Sequence, residues 1–336
     1  MTSNKKQQRV SSIDVARLAG VSQSAVSRAF TPGASISEKK KKVILEAAYQ
    51  LNYRPNVIAR SLVQNSTKII GLVMTRFLSP FYTTVLADFT RHIQDRGYST
   101  LLLNIDNDRE VQDVMSTALQ YQVDGLIITS ANLSSPMVES CLHTKTPIVL
   151  FNRYSENNDL SAVYCDGYDG GRMVADLLVP HHRRFACIKG EVKSSTSRDR
   201  SEGFISRLAE HGITDCISEH AEFSYESGFA AAKEMLGTKD RPDAIFCISD
   251  LMALGAMDAA RSVYGLKIPK DLSIVGFDNI PMAGWYDYDL TTAAQPAPKM
   301  AEATVDLLLE AINSRSQDTM VLKMKTELII RGTTRN

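Results

Sequence analysis

SSIDVARLAGVSQSAVSRAF, residues 11–30, decides how the chain is read. Ile13, Val15, Ala16, Leu18 and Ala19 form a short apolar stripe of helical period that stops at Gly20, and a second helical start follows at Ser22. Ser12 is expected to cap the first helix and Ser22 the second, because a serine hydroxyl accepts a backbone N–H that the first turn leaves unpaired. Gly20 supplies the positive φ that a tight reversal between two helices needs. Small Ala16 lets the second helix come close, and Val26 points back into the contact. This is a helix-turn-helix pattern. In such a unit the second helix enters the major groove with its first residues toward the base edges, which places Ser22, Gln23, Ser24 and Arg28 against DNA. A glutamine amide matches adenine and an arginine fork matches guanine. The same side chains would equally suit the solvated face of a small helical bundle, so the surroundings must decide.

The surroundings are basic. The 336-residue chain is formally neutral, yet residues 1–66 carry eleven Lys or Arg against three acids, net +8, and the remainder carries the compensating −8. Such sorting suits a chain in which one part meets a polyanion and the other does not. A third helix is expected from Ser37, its N-cap, to about Asn52, with Ile44, Ala48 and Leu51 inside. Lysines 39–42 in its first turn oppose the helix dipole, which favours negative charge there by ~0.3–1 kcal/mol. An external phosphate would resolve the conflict, making Ser37, Lys39 and Lys41 candidate backbone contacts; a solvated lysine run is the plainer alternative. In NYRPNVIARSLVQN, residues 52–65, Pro55 turns Arg54 away from helix and suits a first helical position. A helix from about Asn56 to Val63 follows. Below ~12–15 residues a helix is marginal in water, so this one is expected to fold only against a partner.

After Lys68 the period changes. IIGLVM (69–74), TLLLNI (100–105), GLIITS (125–130) and PIVLFN (147–152) alternate with helical stretches at 81–95 and 110–121. A second series runs through AVYCD (162–166), a helix near 168–178, FACIKG (185–190), a helix from about Arg198, SGFAAAKEML, AIFCIS (244–249), LMALGAMDAARSV, SIVGFDN and a strand VLKMKTELII. Repetition of βα units argues for parallel sheets covered on both faces, here two doubly wound lobes with a cleft between. The expected fold class is therefore α/β, a two-lobed doubly wound core behind an all-α helix-turn-helix head.

Composition and motifs exclude several classes. Apolar residues are 44% and charged residues 23%, a globular balance. MTSNKKQQRV has no apolar leader core, and no apolar run approaches the ~18 residues of a membrane span, so a soluble cytoplasmic protein with no membrane partner is expected. Cys141, Cys165, Cys187, Cys216 and Cys247 form neither CxxC nor a zinc spacing, and reduced thiols are expected. GxGxxG after a strand, GxxxxGK[ST], GxSxG and HExxH are all missing. No enzyme, cofactor or metal site is expected. His181 and His182 stand in a basic run with Arg183 and Arg184 and read as surface.

The stretch Ser12 to Leu62, through DVARLAGVSQSAVSR, LNYRPN and ARSL, resembles the headpiece and hinge of the LacI/GalR family of bacterial transcription regulators. The resemblance continues through IIGLVM…SPFY, VYCD…GG, RPDAIFCISDLMALGAM, IVGFDN, LTTAAQP and IIRGTTR, which look like that family's periplasmic-binding-protein-like core. It implies a homodimer on a palindromic operator. Two hinge helices, with Asn56, Ala59 and Leu62, would meet in the minor groove, and Leu62 would wedge between base pairs. The chain departs from the usual pattern at TPGAS, residues 31–35, and at Ser249, where an Asn often precedes the matching Asp. The implied organisation is a head at 1–54, a hinge at 55–67 and a core at 68–336. Its N-lobe would take about 68–167 and 296–324, and its C-lobe about 168–295 and 325–336.

The resemblance also places Asn152, Arg200, Phe223, Ser249, Asp278 and Gln295 around an effector cleft, the effector being a sugar or sugar derivative. A carboxylate at a strand end accepts from ligand hydroxyls, an arginine fork donates, and a phenylalanine offers a ring face. Plainer roles are an N-cap for Asp278, a buried interlobe ion pair for Arg200 and core packing for Phe223. Asp250 reads as a helix cap. The implied function is a ligand-controlled transcriptional regulator, most simply a repressor. A free-standing solute-binding protein is the rival, disfavoured by the fused basic head and missing leader, and a doubly wound enzyme is third. No leucine heptad follows VLKMKTELII, so nothing points to a coiled-coil tetramer.

Overall fold

The computed structural model describes residues 10–31, 33–54, 66–74, 79–104, 110–129, 146–155, 159–192, 194–314 and 318–335, with backbone alone at 110–113 and 115. The expected hinge helix, with Asn56, Ala59 and Leu62, lies outside these residues, as does Cys141. Contacts divide the chain into two units, Met1–Thr67 and Lys68–Asn336.

In the first unit, α1 (Ser12–Ala19), α2 (Gln23–Ala29) and α3 (Glu38–Gln50) enclose Val15, Ala16, Ala25, Val26, Ile44 and Ala48. Ser11, not Ser12, caps α1. Its hydroxyl accepts the Asp14 N–H at 3.4 Å, and the Asp14 carboxylate accepts the Ser11 N–H at 3.0 Å. This reciprocal box needs an acid three residues after the cap, which only Ser11 has. Ser22 caps α2 as expected, and Gly20, at φ 65°, ends α1. Ile13 and Leu18 are exposed, so the buried stripe is narrower than the sequence suggested, centred on Val15 and Ala16.

The second unit holds two six-stranded sheets among the described residues. One contains β1 (Ile69–Met74), β2 (Ser99–Asn104), β3 (Gly125–Ile128), β4 (Ile148–Phe151), β5 (Ser161–Cys165) and, at its far edge, β11 (Val321–Met324), in the order β11-β5-β4-β3-β1-β2. Every pairing is parallel. β3 and β4 are buried along their whole length, which is why they read as unbroken apolar runs. Between the strands run α4 (Pro80–Asp95) and α5 (Glu110–Gln120).

The other sheet contains β6 (Phe185–Lys189), β7 (Ile217–His220), β8 (Ala244–Cys247), β9 (Ser273–Asp278), β10 (Thr291–Ala294) and β12 (Glu327–Ile329), in the order β12-β10-β9-β8-β6-β7. Its helices are α6 (Gly167–Leu178), α7 (Ser195–Glu210), α8 (Tyr225–Leu236) and α9 (Asp250–Tyr264). VLKMKTELII is not one strand. Val321–Met324 pairs parallel with β5 in the first sheet, while Glu327–Ile329 pairs antiparallel with β10 in the second. The chain therefore passes between sheets three times: from β5 to α6, from β10 to α10 (Ala297–Ser314), and from β11 to β12. The Thr326 hydroxyl donates to the Asp166 carbonyl at 2.9 Å and ties the first and third crossings together.

His182 departs from its expected surface position. It is buried while His181, Arg183 and Arg184 are exposed, and neither of its ring nitrogens has a hydrogen-bond partner. Burial holds the imidazole at about 4, below its ordinary 6.5.

Candidate functional site

On the head, Ala25, Val26 and Ala29 turn inward, so Gln23, Ser24, Ser27 and Arg28 share the exposed side of α2. The Gln23 amide donates to the Ser12 hydroxyl at 3.0 Å, which holds it beside the start of α1. Ser22 and Ser24 share a hydrogen bond at 3.0 Å. Ser37 stands at the N-cap of α3 without a side-chain capping bond, and exposed Lys39 and half-buried Lys41 follow in the first turn. These exposed and half-exposed side chains carry hydrogen-bond donors of the kind that meet phosphates and base edges.

In the second unit, Asn152, Ser249, Asp278 and Gln295 lie at the carboxyl ends of β4, β8, β9 and β10, where doubly wound sheets bind ligands. Asp278 Oδ1 accepts from Arg200 Nη1 at 2.9 Å and from Gln295 Nε2 at 2.7 Å. The same Arg200 nitrogen donates to the Ile248 carbonyl at 2.7 Å, and its guanidinium lies 3.8 Å from the Phe277 ring centre. Burial pushes the Asp278 carboxyl up despite the adjacent guanidinium. The ion pair expected as a plain role for Arg200 is real, but it joins α7 to β9 within one lobe, not across the two.

Two glycines let Arg200 reach this position. A β-carbon on Gly203 would fall on the Tyr168 carbonyl, and one on Gly171 would fall on the Arg200 carbonyl, so α6 and α7 touch backbone to backbone. Asn152 (φ 59°), Phe223 (φ 55°) and Asp278 (φ 113°) all carry left-handed backbones. For a bulky residue such as Phe223 that is rare, and strained residues gather at binding sites.

The cleft is narrow, about 50 Å³ of open space, and Asn152, Arg200, Phe223, Ser249 and Asp278 all line it. Gln295 joins through Asp278. Ser249 also caps α9, its hydroxyl accepting the Met252 N–H at 3.5 Å. Asp250 is the first helical residue rather than the cap. Fully buried, its carboxylate accepts from the Ile280 N–H at 2.8 Å and the Thr292 hydroxyl at 2.6 Å, so it braces β9 and β10 beneath the site.

The sequence reading did not single out Phe81 and Tyr82 on α4, Arg153 beside Asn152, or Ser194 and Thr196 before and within α7, all of which line the cleft. The SPFY motif directly after β1 was the available signal. Among the described residues no group of His, Cys, Asp and Glu could hold a metal, and Cys165, packed near Arg200, is pushed up to about 11 by burial and stays a thiol at neutral pH.

A basic helix-turn-helix followed by a two-lobed, periplasmic-binding-protein-like body defines a ligand-responsive DNA-binding regulator. Residues 13–56 match the description "Bacterial regulatory proteins, lacI family", and residues 174–334 match a periplasmic binding protein-like domain. The HTH-type transcriptional repressor PurR of Pasteurella multocida is 32% identical over 324 residues, covering 95% of this chain and 96% of the relative. PurR of Photobacterium profundum is 31% identical over the same length. Among solved structures, the lac repressor dimer bound to operator and the anti-inducer ONPF superposes with a TM-score of 0.89 at 26% identity, covering 97% of this chain and 99% of that one. The regulator CelR in complex with cellobiose gives 0.74 at 26% identity, covering 97% and 100%. The chain belongs to the LacI family of bacterial regulatory proteins and is a DNA-binding transcriptional repressor with a ligand-binding core, not an enzyme.

Proposed function

We propose that this repressor binds a palindromic operator as a cytoplasmic homodimer and that a hydroxyl-rich small molecule, a sugar or sugar derivative, controls it from the cleft. In this reading residues 1–54 read DNA through Ser22, Gln23, Ser24 and Arg28, with Ser37, Lys39 and Lys41 on phosphates. Residues 55–67, with Asn56, Ala59 and Leu62, form the hinge in the minor groove, and residues 68–336 bind effector and dimerise.

One observation carries the effector reading. Around the Arg200–Asp278 pair, Asn152 Oδ1, Arg200 Nε and Gln295 Oε1 are buried without a hydrogen-bond partner. Each such atom costs ~1–3 kcal/mol, and two acceptors beside one donor suit ligand hydroxyls, which both donate and accept. The Arg200 charge is already met by Asp278, which favours a neutral polyol over an anion. Two solved relatives point the same way: CelR holds cellobiose, and a LacI-family regulator from Enterococcus faecium, 26% identical with a TM-score of 0.72 over 79% of this chain and 98% of its own, holds ribose.

Thermal unfolding of the full chain against sugars, sugar acids, phosphosugars and nucleobases tests the reading. A ligand at 100 times its Kd stabilises by ~2.7 kcal/mol. A neutral sugar that stabilises the protein, and fails to stabilise Asp278→Ala, is the expected result. A response confined to anionic compounds would reverse the chemical assignment.

A further inference from the structure

Beyond the cleft, the two lobes meet through a polar contact at the edge where the chain crosses between them. Tyr154 lies in the segment leaving β4, two residues after Asn152. Arg198 and Asp199 lie in the first turns of α7, immediately before Arg200. The Tyr154 hydroxyl donates to the Asp199 carboxylate, 3.0 Å from Oδ1 and 3.1 Å from Oδ2, and accepts from Arg198 Nη2 at 3.1 Å. Arg198 Nε stands 3.6 Å from Asp199 Oδ1, closing a three-membered network.

Each side of the contact is anchored to its own lobe. The Tyr154 ring lies 4.8 Å from the Tyr164 ring of β5. Asp199 and Arg198 are held by α7, which is locked to α6 at Gly171 and Gly203. At the same edge Lys323 of β11 pairs at 2.7 Å with Asp166, the cap of α6. A small void of about 10 Å³ lies beside the contact and shares Asn152, Arg153, Thr196 and Arg200 with the larger cleft.

We propose that Tyr154 is a positioning residue that clasps the lobes and sets the balance between open and closed cleft. The inference rests on the effector reading above and concerns the regulation of that same site. The phenol, guanidinium and carboxylate are partly withdrawn from water only while the lobes are together; parting them breaks the network and returns each group to solvent. The segments that carry the clasp also carry the ligand contacts, since Asn152 stands two residues before Tyr154 and Arg200 one residue after Asp199. A ligand drawing Asn152 toward Arg200 therefore seats Tyr154 on Asp199.

Amide hydrogen exchange on the full chain, without ligand or DNA, tests this with Tyr154→Phe, which removes only the hydroxyl, and Asp199→Asn, which removes the charge. Each variant should speed exchange in residues 152–155 and 194–199 by about tenfold, as loss of a charge-assisted hydrogen bond implies. The double variant should be no faster than either single one, because one network is broken in all three. Amides of α9, remote from the edge, should not change. Unaltered exchange at 152–155, additive effects in the double variant, or an equal rise in α9 would each overturn the clasp. The measurement needs no effector, so the clasp can hold while the ligand screen fails, and the reverse.

Discussion

Arg200 and Asp278 form a buried pair on which stability and, in the proposed reading, recognition both depend. Their side chains are only 3% and 11% exposed, so removing one leaves the other as an uncompensated buried charge. Asp278→Ala should destabilise the core by ~3–5 kcal/mol in urea, whereas Arg200→Met combined with Asp278→Leu should be close to neutral. Both variants should lose response to whichever sugar stabilises the parent protein. His182 gives a pH signature instead. Between pH 6.5 and about 4 the unfolded chain takes up a proton that the folded chain refuses. Stability is complete above that window and falls as pH drops through it, by an amount on the order of 3 kcal/mol. His182→Leu should flatten the profile of chemical-denaturation midpoints over this range. On DNA, Arg28→Ala should relax preference at one base pair at a cost of ~1–3 kcal/mol, while Lys41→Ala should weaken all sequences alike; competition binding with single-site operator variants separates them. Residue chemistry was well marked in the sequence where it depends on local spacing, as in Ser22 and Gly20. It was hidden where partners lie far along the chain: Asp250 looks like a cap until Ile280 and Thr292 close on it.

At the scale of elements, the packing of α6 on α7 positions the cleft. Gly203→Ala must push these backbones apart, since the new methyl would strike the Tyr168 carbonyl rather than a flexible side-chain end. The expected outcome is a loss of ~1–3 kcal/mol of stability together with weakened effector binding, because Arg200 moves with its helix. Calorimetric titration with the screened sugar, beside Gly284→Ala as the control, an exposed glycine of ordinary backbone where a new methyl meets only the Arg331 side-chain end, would check this. Most strands were legible because buried parallel strands are continuous apolar runs. β7 was missed because ISEH is a half-exposed edge strand with one apolar residue. The run VLKMKTELII looked like a single strand because its β-forming character is continuous; only its two separate partners, β5 and β10, reveal the break. α7 begins at Ser195 rather than near Arg198, since Ser194 caps it by accepting the Ser197 N–H at 3.4 Å, a signal buried in a serine-rich run.

For the whole molecule, the proposed division of labour makes DNA affinity a property of the basic head. A dimer touching ~6–10 phosphates should lose about 10³–10⁵ in operator affinity between 50 and 200 mM salt, and a chain lacking residues 1–66 should retain effector binding with no affinity for operator. Retardation of operator DNA by that truncated chain would refute the assignment. Lengthening QNST, residues 64–67, with flexible residues should preserve DNA binding while erasing the effector's influence on it, since the coupling of 1–3 kcal/mol must pass through that segment.

The three passages between the sheets have a consequence for how the protein is made. Neither lobe is a continuous piece of chain. β9, which carries Asp278, takes hydrogen bonds from far downstream: the Thr333 hydroxyl donates to the Ile274 carbonyl at 2.6 Å and accepts the Thr291 N–H at 2.9 Å. During synthesis the head, whose contacts are local, is complete before the first strand of the body emerges, while the sensing lobe lacks its border until residues 327–334 have been translated. In the proposed reading, a message interrupted late would thus yield a chain whose DNA-binding head is finished and whose effector lobe is not.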